Sequence, residues 1–87
     1  MTHHQPLRLS ELPAGVDAVV QAVNRGSTLC DDATVHRLGE LGFIPGEPVR
    51  VLRRGPGGRE PVAVLVGDTL FALRLAEASC IEVARHV

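Results

Sequence analysis

The chain has 87 residues and a net charge of −1, and its nine basic residues are all arginine. That balance offers no basic footprint for nucleic acid or an anionic membrane surface, and no apolar run approaches the ~18 residues that cross a bilayer. Nine glycines, six prolines and only two aromatic residues, both Phe, describe a small, mainly β chain with many turns and a modest core.

The whole chain, 1–87, reads as one domain, with residues 1–6 as a disordered leader. They show no basic cluster followed by an apolar stretch, so a secretory signal is not expected and the expected compartment is the cytoplasm. Leu7 to Gly15 continues the leader and ends in a bend between Pro13 and Gly15. Val16 to Val23 is rich in Val and Ala and reads as the first strand. Asn24, Arg25, Gly26 and Ser27 break it. Cys30 and Cys80 form neither a CxxC pair nor a disulfide framework, so in a reducing compartment both are expected as free thiols.

Asp31 or Asp32 can cap a helix that runs to about Leu41, since an Asp side chain accepts from an orphan N–H of the first turn. Val35, Leu38 and Leu41 give that helix one apolar stripe. Gly42 stops it, and Pro45 prevents its continuation. Gly39, costly inside a helix, suggests a close backbone approach. Pro45 to Pro48 is a turn. Val49 to Arg54 is a strand with Val49 and Val51 on one face, Arg50 and Leu52 on the other. Gly55 to Gly58 is a hairpin tip, and Pro61 to Val66 is the next strand. Gly67 and Asp68 fit a type II′ turn, and Thr69 to Leu73 returns from it. Leu75 to Ala78 is one helical turn, and Cys80 to Ala84 is the last strand. About five short strands with one helix between the first and second favour closure into a small antiparallel barrel, which removes exposed edges.

No catalytic motif stands in the sequence. There is no Gly-x-Ser-x-Gly, no Walker loop and no HExxH, so the chain is expected to bind and not to catalyse. Asp32, His36 and Glu40 recur every four residues on one helix face, with Cys30 just before the helix. Carboxylate, imidazole and thiolate are the donors that Zn(II) or Fe(II) accepts, and with few ligands per chain such a site would be shared across a homodimer. The competing reading makes Asp32 a cap, His36 and Glu40 a surface i,i+4 pair, and the cysteines small buried residues. No cofactor is required by either. Arg50, Arg53, Arg54 and Arg59 cluster on one hairpin and read as a docking face for an acidic partner or as a solvated strand face. A second partner-binding candidate is the helix region from Leu29 to Leu41, including Arg37. Single-stranded nucleic acid is disfavoured because aromatic stacking platforms are missing.

Three stretches together resemble the FeoA family: SELPAG from Ser10 to Gly15, HRLGELGFIPGEPVRVLRR from His36 to Arg54, and VGDTLFALRLAEASCIEV from Val66 to Val83. The resemblance covers about Leu7 to Val83. It implies an SH3-like barrel and a cytosolic accessory role in bacterial ferrous iron uptake beside FeoB, the membrane transporter that contains a GTPase. The same barrel is found at the C-terminus of DtxR-type repressors, so a metal-responsive regulatory domain is the alternative. The chain has no room for the repressors' helix-turn-helix.

Overall fold

The computed structural model describes residues 4–24 and 30–86. Six strands and two helices follow in chain order: β1 (His4–Arg8), β2 (Asp17–Val23), α1 (Asp32–Leu41), β3 (Pro48–Arg54), β4 (Val62–Val66), β5 (Thr69–Leu73), α2 (Leu75–Ala78) and β6 (Ile81–His86). All pairings are antiparallel, in the order β1-β6-β2-β3-β4-β5.

Two expectations change here. There are six strands, not about five, because the segment read as a leader supplies β1, which pairs with β6 from His4 opposite His86 to Arg8 opposite Glu82. The helix therefore follows the second strand. The sheet also does not close, since β1 and β5 each have one neighbour. The leader is core-forming as well: a single 3-10 turn, Leu9–Glu11, buries Leu9 and Leu12 completely. No strand or helix period marks this stretch, because a 3-10 turn between two extended residues has neither.

The strands form where β-branched residues alternate with polar or small ones. On β4, Val62, Val64 and Val66 point inward, with Ala63 and Leu65 on the outer side. Val49 and Val51 of β3 pair with Val66 and Val64, so four valines meet on the core face. After Val51 the register shifts by one residue, leaving Leu52 and Arg53 both exposed. Val20, Ile81, Val83 and Leu73 complete the sheet's contribution to the core. Each fully buried side chain of this size stabilises by about 1.5–3 kcal/mol relative to exposure.

Helix α1 lays Leu38 into this core, with Val35 and Leu41 packed at its margin, as the apolar stripe predicts. Asp31 is the cap: its carboxylate accepts from the Thr34 N–H at 2.8 Å. The stop is chemical. Gly42 sits at φ +114°, a left-handed conformation that L side chains rarely adopt. Its N–H donates to the Gly39 carbonyl at 3.1 Å, and the Phe43 N–H donates to the Leu38 carbonyl at 3.1 Å. Phe43 is thereby turned into the core against Leu38, and its ring lies 6.0 Å from that of Phe71 on β5.

Cys30 and Cys80 are joined in a disulfide, with Cα atoms 5.6 Å apart, which corrects the expectation of free thiols. The register explains the meeting. Val23 at the end of β2 lies opposite Ile81 at the start of β6, and the Asn24 N–H donates to the Cys80 carbonyl at 2.9 Å. The end of β2 therefore lies beside Cys80. Both half-cystines are buried.

A Cβ at Gly39 would meet no atom within 4 Å, so the expected close approach there is absent. Gly39→Ala should raise stability by about 0.5–1 kcal/mol, read as a higher urea midpoint at unchanged slope. Because the disulfide spans a sequence separation of 50, Cys30→Ser/Cys80→Ser, or reduction of the native chain, should cost about 2–4 kcal/mol in the same titration.

Candidate functional site

The residues singled out in the sequence do not converge. Cys30 carries its sulfur in the disulfide and offers no thiolate. Asp32, His36 and Glu40 share a face of α1, where the His36 imidazole Nε2 stands 3.5 Å from the Glu40 Oε2 and both side chains are mostly exposed. Among the described residues no three His, Cys, Asp or Glu side chains group closely enough to hold a metal ion. Helix geometry explains this. Asp32 and Glu40 stand eight residues apart, about 12 Å along the helix axis, and the His36 and Glu40 side chains point mostly into solvent.

The arginine hairpin likewise divides into separate roles. Arg50 of β3 stands opposite Asp17 of β2 and grips it with two bonds, Nε to Oδ1 at 2.8 Å and Nη2 to Oδ2 at 2.9 Å. This fork holds the Asp17 carboxyl below the ordinary carboxylate range and raises Arg50. Arg54 turns back on the chain, and its Nη2 donates to the carbonyls of Ser10 at 2.8 Å and Leu12 at 3.1 Å. It pins the 3-10 turn to the end of β3. Arg53 is exposed and faces a shallow outer-face hollow with Gly55, Pro61, Ala63 and Ala72. Leu29 lies outside the described residues.

Arg37 leads to a cleft that sequence reasoning did not identify. It projects from α1 to form an ion pair with Glu77 of α2. Between them opens a hollow of about 680 Å3 lined by Arg37, Glu60, Pro61, Ala72, Leu73, Arg74 and Glu77. Both carboxylates are engaged internally. Glu77 also accepts from the Arg74 N–H at 2.9 Å, and Glu60 accepts from the Leu75 N–H at 2.9 Å. Both bonds cap the N-terminus of α2, so the helical turn expected at Leu75–Ala78 starts on Glu side chains from within the turn and from the β3–β4 connection. Among the described residues the Arg74 guanidinium has no carboxylate in ion-pair range. The cleft therefore carries both signs of charge, Arg37 and Arg74 with Glu60 and Glu77, beside Pro61, Ala72 and Leu73. Its one legible signal was Glu77, three residues past Arg74 at the start of a helical turn.

Sheet and helix stop together define a small, mainly β protein of SH3-like form. The sequence matches the FeoA domain over residues 7–85, and the chain belongs to the FeoA family. It is 47% identical to the FeoA of Stenotrophomonas maltophilia, with a TM-score of 0.75 over 95% of this chain and 88% of that one. That protein was solved complexed with zinc and is described as a procaryotic SH3 domain protein and a candidate ferrous iron transport activating factor. The FeoA protein of Chlorobium tepidum is 35% identical, with a TM-score of 0.77 over 91% of this chain and 70% of that one. The IdeR protein of T. acidophilum shares the fold at 21% identity and a TM-score of 0.72, over 92% of this chain and 34% of that one. No curated protein matches the sequence. The FeoA family is linked to ferrous iron transport. Zinc in the Stenotrophomonas protein has no assembled counterpart among the described residues of this chain.

Asp17 and Asp31 give the fold a defined acid response. Asp31 is held below the ordinary carboxylate range by the Thr34 N–H, and Asp17 by Arg50. A group whose folded pKa is depressed stabilises above its unfolded pKa, and that contribution is lost as pH falls through the folded value. The melting temperature should therefore decline below about pH 4. Asp17→Asn/Asp31→Asn, which keeps a capping side chain but no charge, should make that decline shallower.

Proposed function

We infer that this chain is an accessory factor of ferrous iron uptake that acts by binding FeoB, the transporter containing a membrane-bound GTPase. Membership of the FeoA family supports the transport link. The observation that carries a binding role is the cleft between α1, α2 and β5, where Glu60 and Glu77 are engaged internally and Arg74 faces outward. An acidic segment of the transporter's cytoplasmic part would meet Arg74 and Arg53, and the Arg37–Glu77 pair would fix the far wall. The function is one of recognition in the cytoplasm. Among the described residues no helix is long and apolar enough to cross a membrane.

Capture of the transporter's cytoplasmic domain on the immobilised chain tests this. The native chain should retain it, and Arg74→Glu should weaken retention by about 5-fold or more at low salt, with the effect shrinking as salt rises. Equal retention by both chains would move the contact elsewhere. No retention by the native chain, together with normal Fe(II) uptake in a strain lacking it, would remove the reading.

A further inference from the structure

The sheet ends at β5, which has a strand neighbour on one side only among the described residues. Its register with β4 fixes which backbone groups point outward. Gly67 stands at φ +56° and among the described residues, Asp68 included, no non-glycine residue has a positive φ, so Gly67-Asp68 is a two-residue turn of type II′, not I′. Val66 and Thr69 then close the hairpin as a hydrogen-bonded pair. Alternation makes Val64–Phe71 and Val62–Leu73 hydrogen-bonded too, while Leu65–Leu70 and Ala63–Ala72 are not. The N–H and C=O groups of Leu70 and Ala72 thus point away from β4, toward the free edge. Their side chains share the outer face, and Leu70 is 60% exposed, more than Ile44 or Leu52. No Lys, Pro or bulge lies within β5, the usual devices that guard such an edge.

We propose that β5 joins β5 of a second copy, antiparallel about a twofold axis through Phe71. In that register Leu70 faces the other copy's Ala72 twice over, and the outward backbone groups of both strands meet in a short ladder. Asp68 falls opposite the other copy's Arg74, again twice. Both residues are exposed, and Arg74 is still extended backbone, φ −77° and ψ 155°, so the strand reaches it. The charges that bracket β5 are therefore complementary to their own image in this register, and a parallel or shifted pairing would lose that match. A five-residue edge buries less than a permanent interface needs, so the dimer is weak and concentration-dependent. Arg74 also lines the α1–α2–β5 cleft, and pairing of copies and docking there draw on the same side chain.

Sedimentation velocity on the native chain, up to about 1 mM with chelator present, should show the mass rising from monomer toward dimer. Over the same range the amide protons of Leu70 and Ala72 should gain protection from solvent exchange. Asp68→Arg should raise the dissociation constant about 2- to 30-fold, as should Arg74→Asp, because each removes two ion pairs and sets like charges opposite one another. The double swap Asp68→Arg/Arg74→Asp should restore it to within about 3-fold. Ala72→Pro removes an N–H that β4 does not use, and should abolish the dimer with the circular dichroism unchanged. A native chain that stays monomeric throughout would overturn the proposal, leaving the edge for a foreign strand. So would a dimer that survives Ala72→Pro, or a double swap no better than the single variants.

Discussion

The end of α1 sets the rest of the molecule in place. Gly42 takes a left-handed conformation, and the Phe43 N–H reaches back to the Leu38 carbonyl. That bond reverses the chain and drops Phe43 into the core beside Leu38. The following turn is tied to β2 at once: the Gly46 N–H donates to the Val20 carbonyl at 2.8 Å, and the Val20 N–H donates to the Glu47 carbonyl at 2.9 Å. The connection from helix to strand thus behaves as an extension of the β2–β3 ladder. With its start fixed, β3 can bring Val49 and Val51 onto Val66 and Val64. A side chain other than glycine at position 42 would be strained in that conformation, and the strain would fall on both the helix packing and the β3 register.

Charge in this chain works largely inward. Arg50 and Arg54 look like a basic patch when their spacing is counted. Each instead stabilises a junction, Arg50 between β2 and β3 and Arg54 between β3 and the 3-10 turn. Arg37 and Glu77 link the two helices in the same way. What remains exposed for a partner includes Arg8, Arg53, Arg59 and Arg74, with Arg53 and Arg74 at either side of the β4–β5 hairpin. The surface available for recognition is consequently smaller than the arginine content suggests, and it sits beside the exposed sheet edge.

The sheet is treated differently around β6 and at its β5 edge. Near β6, the Cys30–Cys80 bridge ties the entry of α1 to the exit of α2. At β5 there is no such tie, and Leu70 and Ala72 stand open. The covalent tie thus lies beside α1, and the exposed edge at β5.

The sequence by itself determined the local elements. Asp31, the stripe of Val35, Leu38 and Leu41, and the Gly42 stop place α1, because capping and glycine conformation act within a few residues. Val49 to Arg54, Pro61 to Val66 and Thr69 to Leu73 are legible as strands from alternation, and Gly67-Asp68 as their turn. The motifs around Gly42 and Val66 to Val83 also carry the family. What only the tertiary structure decided involves residues far apart in the chain. The pairing of β1 with β6 turned a supposed leader into an edge strand and left the barrel unclosed. The β2–β6 register brought Cys30 to Cys80 across 50 positions. The cleft joins Arg37, Glu60, Ala72 and Glu77 from four separate segments. Spacing along a chain reports contacts within one element. Proximity across a sheet depends on register, which is set by the summed packing of the core and is written in no short stretch of sequence.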